Sequence, residues 1–591
     1  MKIKNLLFVA ALALCGSASA ASYYVVPGNT STGNDGSSWD RAITIWDIYE
    51  NEAVAKKVEA NSKYKNGDIF YFAGGTYYPT LEPGGGANRI YRGYIFVGGC
   101  DPTKGAYTEI PTYPSATPTI FSGDLNGDGV ASPGDAKNLV YMRLGSKFTT
   151  DEDRYTIADE ALKPLTFYGF DFGYTYNETE FPGSESADNL AQWGCVEASQ
   201  GWVELNNCAI HDTYADKGSG FFVYGSLFNA RDCQFYNNMA RQTGAALRVN
   251  INTSSRYSKG TVERCAFYNN TLTDLYGGAI ALTAGELYIV NSTISGNYAY
   301  AEGAGVVSNG DNDGTRKLHI INSTISGNYC TADPEELYKT DSETGEIKNP
   351  GSWTGSELRL SANPNCEIWN SIIVGREDDG TVARAPFVFK DAPKEGSVFS
   401  LNLGYSIIGT MLPLLDYEWT WTDTYCYQNE ANTWAEVFGD AELNDNGGNT
   451  MTVIPSIDYF TKLSDDGIYW PPYVGDAITM QMNLAEQPLF ATTGYAVPDL
   501  TVDQTGTKRC EDAEGDYGPG AYDIFVEHAG NDVLLGDANE DGNIDVSDIT
   551  TIASYILSNT PSPFNMKNAD VDGDGQITVS DITGTASIIL N

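Results

Sequence analysis

The sequence predicts an all-β fold, a right-handed parallel β-helix with three short strands per coil, followed by a small α-helical cation-binding module, and two internal repeats carry that expectation. The first is the string NSTISGNY, found at Asn291–Tyr298 and again, letter for letter, at Asn322–Tyr329. The second is a 21-residue unit, DANEDGNIDVSDITTIASYIL at Asp537–Leu557, which returns as DVDGDGQITVSDITGTASIIL at Asp570–Leu590 with 13 identities. The charge balance bears on both, because 78 acidic residues stand against 35 basic ones. Such an excess argues against nucleic acid and anionic membrane surfaces as partners and in favour of cations.

The chain opens with MKIKNLLFVAALALCGSASA, in which Lys2 and Lys4 precede an apolar run from Leu6 to Leu14 and Ala18-Ser19-Ala20 closes the segment. This is the pattern of a secretory signal over residues 1–20. No later stretch reaches the ~18 consecutive apolar residues that span a bilayer. The expected location is therefore outside the cell, secreted or held at a bacterial cell surface. Ten cysteines leave nine after removal of Cys15 with the signal, an odd number, so at least one is expected free or paired between molecules.

Aligning on NSTISGNY recovers further members at Asn207 (NCAIHDTYA), Asp232 (DCQFYNNMA) and Arg264 (RCAFYNNTL), with degenerate copies at Asn370 and Tyr405. Their second residues, Cys208, Cys233, Cys265, Ser292, Ser323, Ser371 and Ser406, are spaced by 25, 32, 27, 31, 48 and 35 residues. A fixed core with variable insertions describes stacked coils rather than a globular domain. Five positions further on come Asn238, Asn270, Asn297 and Asn328, a column of amides able to hydrogen-bond from coil to coil. A second strand opens on glycine at Gly218, Gly244, Gly277 and Gly303, and a third (GTVERC, GELYIVNS, KLHIINS) runs back into the repeat. The Cys/Ser and Asn columns are read as buried architecture, with coils about 4.8 Å apart.

The opening YYVVPGNTSTGNDGSSWDRAI, the later GDIFYFAGGTYYPT, YIFVGGCDP and TIFSGDLNGDG, the coils, and the closing DNGGNTMTVIP and VDQTGTKRCEDAEGDYGPGAYDI together resemble the pectin-lyase-like β-helix proteins of bacterial surfaces. They are similar in particular to the polymorphic outer-membrane-protein passenger family. The resemblance covers roughly residues 22–527 and implies fold and surface exposure, but no particular reaction. The expected domains are a signal at 1–20, β-helix at 21–527, a linker at 528–532 and the duplicated module at 533–591.

In each C-terminal copy, oxygen-bearing residues stand at positions 1, 3, 5 and 12 of a loop. These are Asp537, Asn539, Asp541 and Asp548 in the first copy, and Asp570, Asp572, Asp574 and Asp581 in the second. Gly542 and Gly575 at position 6 permit the sharp turn, and Asn543 and Gln576 at position 7 offer backbone carbonyls, a spacing that wraps oxygens around one Ca²⁺. Ile549, Ile552, Ala553, Ile556 and Leu557 then follow helical spacing, as do Ile582, Ala586, Ile589 and Leu590. The stretch NDVLLG is too short for the helix that precedes an ordinary EF-hand loop, and position 12 is Asp rather than Glu in both copies. The pattern resembles a type I dockerin. That resemblance implies a cohesin partner, contacted through positions 10 and 11, here Val546, Ser547, Val579 and Ser580. The basic residues that often follow in cellulosomal dockerins are missing, since Lys567 is the only positive charge in this segment.

A third loop, DLNGDGVASPGD, repeats the ligand spacing with Asp124, Asn126, Asp128 and Asp135, although Ala131 stands where an aliphatic anchor is usual. No catalytic constellation emerges. Arg376, Glu377, Asp378 and Asp379 cluster at a coil edge, and His211, His319 and His528 have no partner within motif spacing. The expected role is recognition of a glycan or host surface, with attachment through the dockerin-like module. The alternatives are a dockerin-bearing polysaccharide lyase or glycoside hydrolase, and a structural spacer.

Overall fold

A computed structural model describes residues 20–49, 63–142, 163–178, 194–250, 258–273, 277–300, 303–309, 316–330, 356–361, 365–376, 387–390, 400–409, 411–412, 421–424, 426–429, 432–465, 474–491, 495–509, 518–524, 536–539, 543–557, 564, 566–569, 571 and 577–590. The chain forms two compact units, Met1–Val526 and Glu527–Asn591. The signal segment, apart from Ala20, and the expected linker at 528–532 lie outside the described residues.

The first unit is a parallel β-helix of three sheets. One holds 12 strands from Ser22–Val25 to Trp421–Thr424, another 10 from Arg89–Ile90 to Met411–Leu412, and the third 15, ending at Tyr427–Gln428. In the repeat coils each turn of the chain supplies every sheet in the same order. Glu286–Val290 lies in the first sheet, Thr293–Ile294 and Tyr298–Ala299 in the third, Val306–Ser308 in the second, and Lys317–Ile321 returns to the first. The two copies of NSTISGNY are adjacent coils, with Thr293 paired to Thr324 and Ile294 to Ile325.

The repeat letters follow from two corners. Residues Asn207, Asp232, Arg264, Asn291, Asn322, Asn370 and Tyr405 all have φ between 46° and 54°, the left-handed region in which Asn and Asp are the least strained side chains. The next residue of each coil forms the Cys/Ser column. Ser292 Oγ caps the Cys265 amide at 3.0 Å, Ser323 Oγ that of Ser292 at 3.2 Å, Ser371 Oγ that of Ser323 at 3.1 Å and Ser406 Oγ that of Ser371 at 3.1 Å. Cys100, Cys195, Cys208, Cys233, Cys265 and Cys366 are free thiols. A second left-handed corner at Asp212, Asn237, Asn269, Gly296 and Gly327 precedes the amide column. There each Asn Nδ2 donates to the next Oδ1, at 2.9 Å from Asn238 to Asn270, 2.8 Å from Asn270 to Asn297 and 2.8 Å from Asn297 to Asn328. Buried Thr213 caps one end, donating to Asn238, and Glu357 accepts from Asn328 at the other. The interior between the sheets is apolar, with Phe70, Phe72, Phe96, Phe121, Phe167, Phe170 and Phe172 in the early coils and mainly isoleucine and leucine later.

Coils were expected to residue 527, but the last described strand is Tyr427–Gln428. The chain then forms helices α1 (Trp434–Phe438), α2 (Ile457–Asp465), α3 (Val474–Glu486) and α4 (Pro488–Ala491), and residues 495–509 and 518–523 lie along the first corner as a strap. The strap uses the left-handed asparagines: Asn291, Asn322 and Asn370 donate their amides to the carbonyls of Asp499, Leu500 and Gly518 at 2.8, 3.2 and 2.9 Å. Fully buried Arg509 in turn holds the Gly518 and Gly520 carbonyls at 2.8 and 2.7 Å. The closing VDQTG…R…G-GAYD string is therefore the sequence of a lock across the coils. Because α3, α4 and the strap carry Leu484, Leu489, Phe490, Tyr495 and Leu500, they cover Trp202, Leu227, Tyr288, Val290 and Ile321 on the outer face of the first sheet.

In the second unit, α5 (Val546–Ile556) and α7 (Val579–Leu590) flank the short α6 (Met566–Ala569). Ala538, Ile552 and Ala569 form its small core, with Ile556, Phe564, Ile577 and Ile582 packed around it.

Candidate functional site

The two C-terminal loops are built alike around their twelfth residue. Asp548 Oδ1 accepts the Asn539 amide at 3.1 Å and its Oδ2 the Asp545 amide at 2.9 Å, while Asp581 accepts the amides of Val571 and Thr578 at 2.9 and 2.7 Å. Both carboxylates are fully buried, and each occupies the third position of its helix, where an acid also complements the helix dipole. Asp545 caps α5 by accepting the Ser547 amide, and the Ser547 hydroxyl together with that amide holds the carboxyl below its ordinary range. Asp537 is buried at position 1, and its carbonyl accepts from Asn568 at 2.9 Å while the Gly536 amide donates to Asn568 at 2.8 Å, tying loop one to the segment ahead of loop two. Among the expected ligands, Asn539, Asn543, Asp548 and Asp581 are also described, whereas Asp541, Asp570, Asp572, Asp574 and Gln576 lie outside the described residues. The donor set is all oxygen, which fits a hard divalent cation.

The four expected contact residues stand on the first turns of the two helices, all exposed, with Val546 64 % and Val579 65 % accessible. Valines left in water at equivalent places of two repeats form a surface suited to a protein partner.

The loop at 124–135 reproduces this geometry in the β-helix. Asp135 Oδ1 accepts the Leu125 amide at 3.1 Å and its Oδ2 the Ser132 amide at 2.8 Å, so positions 2, 9 and 12 pair as they do around Asp581. Asp124 accepts the amides of Gly127, Asp128 and Gly129, and oxygens of Asp124, Asp128 and Asp135 lie within 4.8 Å of one another. Burial and the neighbouring Asp124 and Asp128 raise the Asp135 carboxyl, a cost that a bound cation would remove. Asn126 instead donates to Asp128 and Ser132.

Two histidines have partners that the sequence spacing hid. On the outer face of the first sheet, His319 Nδ1 lies 2.9 Å from Glu367 and its Nε2 3.4 Å from Glu286, on the flanking strands. The two carboxylates raise the imidazole against its burial, and His319 returns the effect by lowering both acids. Its ring stacks on Tyr288 at 4.1 Å, and Lys259 pairs with Glu286 at 2.7 Å. His211 is clasped by Asp171 and Asp212, both at 2.6 Å, which hold it up to about 9 despite burial. Arg376 of the expected charged edge lies over the rings of Tyr329 and Trp434, while Glu377, Asp378 and Asp379 lie outside the described residues.

Fold and loops together define a parallel β-helix protein carrying a separate, duplicated loop-helix interaction module. Comparison with protein families matches residues 535–584 to the dockerin type I domain. That unit is therefore a protein-interaction module of the kind typical of cellulosome components, and dockerins as a class bind cohesins and calcium. No curated protein and no solved structure matches the chain. Among the described residues no helix is long and apolar enough to cross a membrane.

Proposed function

We propose that this is an exported attachment protein in which the dockerin domain, folded around calcium, docks on a cohesin-like partner while the β-helix presents a face that recognises a glycan or host surface. The observation that carries the reading is the repeated exposure of Val546, Ser547, Val579 and Ser580 on helices whose first turns are set by buried loop carboxylates. Calcium is held by the oxygens of Asp537, Asn539, Asp541, Asn543 and Asp548 in one loop and Asp570, Asp572, Asp574, Gln576 and Asp581 in the other. The matching hydrogen bonds at 124–135 support a further calcium among Asp124, Asn126, Asp128 and Asp135. Because the two contact pairs are identical, either can serve the partner. Full-length protein should bind an immobilised type I cohesin in calcium and lose it in chelator. Val546→Asp with Ser547→Asp should leave binding within a few fold, and adding Val579→Asp with Ser580→Asp should abolish it. Binding that survives all four changes, or that ignores chelator, would refute the assignment.

The enzyme reading is favoured by one observation, the carboxylates and lysines gathered around His319. Polysaccharide cleavage that Glu367→Gln abolishes would establish it.

A further inference from the structure

Between the outer face of the first sheet and α3 lies an open cavity of about 750 Å³, in the range of small-molecule sites. Its floor carries His319 with Glu286 and Glu367, beside Lys317 and Trp369, and α3 contributes Asn483 to the wall. We infer that this cavity is a binding site for a neutral oligosaccharide, with the Trp369 indole as its stacking platform. The inference rests on the glycan-recognition reading above and gives it a location and a ligand class.

Three features select the ligand. The charges are mixed: of the lining acids Glu286, Glu367 and the α3 residue Glu486, Glu286 pairs with Lys259 and Glu367 bonds His319, and Lys317 stands beside them. A polyanion would meet the carboxylates, and a cation would meet the ammonium groups. What the wall offers instead is a set of separate acceptors and donors, the carboxylates on one side and Lys317, Asn365, Asn483 and Gln487 on the other, which suits hydroxyls that both give and take hydrogen bonds.

The third feature is the indole itself. Position 404, paired with Trp369 on the next coil, is glycine, and a Cβ there would meet Cε3, Cζ3 and Cδ2 of Trp369 at 2.3, 2.4 and 2.8 Å. The six-membered ring thus lies against Gly404, packs on the apolar cluster that includes Ile321 and Leu484, and also lines the cavity beside its polar groups. An aromatic plate rimmed by hydrogen-bonding groups suits the apolar C–H face of a pyranose. Gly404 is not in the left-handed region, so only the ring's position demands its missing side chain. Glu286 is committed to Lys259 and Tyr288, and Glu367 to His319, so the site holds the sugar without cleaving it.

The test is calorimetry of the full-length protein with calcium present, titrated with cello-, manno-, xylo- and galacto-oligosaccharides and with polygalacturonate. At least one neutral oligosaccharide should bind, and Trp369→Ala and Gly404→Ala should each weaken it tenfold or more with the folded circular dichroism spectrum and cohesin binding retained. If Trp369→Ala fails to fold, Gly404→Ala, which only displaces the ring, carries the test. Neutral-glycan binding that survives both substitutions would overturn the site and leave the broader function standing. Binding of polygalacturonate alone would overturn the ligand class. Binding of no glycan would remove both readings, and release of new reducing ends would overturn binding without cleavage.

Discussion

Asn297→Ala is the sharpest test of how the coils are held. Asn297 is fully buried, and its Oδ1 accepts two bonds from the previous coil, the Asn270 amide at 3.1 Å and Asn270 Nδ2 at 2.8 Å. Its Nδ2 donates to the Phe267 carbonyl at 2.9 Å and to Asn328 Oδ1 at 2.8 Å. Alanine leaves the Asn270 amide without a partner inside the protein, costing about 1–3 kcal/mol. Asn270 Nδ2 keeps the Phe235 carbonyl, the Phe267 carbonyl keeps the Ser295 amide, and Asn328 Oδ1 keeps the Asn297 amide. The other three lost bonds therefore count at about 0.5–1 kcal/mol each, and the total is roughly 2–6 kcal/mol. In a stacked array such a loss is felt by the coils on either side rather than by the whole molecule. Hydrogen exchange followed by mass spectrometry should show the peptides around Asn270 and Asn297 losing protection while those near Phe72 and Phe96 keep theirs. A change below about 1 kcal/mol, with the Asn270 amide still protected, would refute the ladder as a source of stability.

Burial lifts the Glu357 carboxyl from its ordinary 4.5 to about 8, so the folded chain keeps a proton that the unfolded chain releases above pH 4.5. Its contribution is complete below about pH 4.5 and lost as pH rises through 8. Glu357→Gln, which still accepts from Asn328, should match the parent at pH 4.5 and exceed it by at least about 1 kcal/mol at pH 8.5 in denaturant titrations; parallel curves would show that the carboxyl is not protonated. Cys265→Ser should cost under about 1 kcal/mol because serine fills that column in the next coil, whereas Ser323→Val should cost about 2 kcal/mol or more by uncapping the Ser292 amide. Equal melting temperatures for these two variants would contradict the column's role. Asp548→Ala should remove the first calcium and expose the Asn539 and Asp545 amides, halving the calcium stoichiometry of the dockerin unit in calorimetry; an unchanged stoichiometry would place the metal elsewhere.

The coils were legible because their constraints are local and repeat. A left-handed corner selects Asn or Asp, the following small residue lines the column, and a stacked amide recurs five residues on, so each coil shows the same letters at fixed offsets even where insertions change the spacing between coils. The dockerin unit was legible for the same reason, since each of its loops is set within twelve consecutive residues and the unit is duplicated. The strap and α1 to α4 were not, because they are aperiodic and their apolar residues match coils at no fixed distance, α1 and α2 packing on Ile372, Val374 and Ile407 and Tyr495 on Trp202. His319 looked solitary because a coil brings together residues 33 and 48 positions apart, and insertions vary that distance. Glu357 ends the amide ladder but follows the long insertion after Cys330, so no fixed spacing pointed to it. Trp369 was hidden in another way, since its value as a platform depends on a glycine one coil away.

The claim on which the functional account turns is that the dockerin unit folds around calcium. Nine acidic residues share residues 533–591 with a single lysine, and the small core of Ala538, Ile552 and Ala569 has little apolar surface to set against their repulsion. Hydrogen exchange of the full-length protein, with saturating calcium and then with chelator, tests this directly. The peptides covering α5 and α7 should be protected in calcium and exchange at the unfolded rate in chelator, while the coils at Asn291–Tyr298 and Asn322–Tyr329 remain protected in both. Equal protection of α5 and α7 in the two conditions would contradict the account.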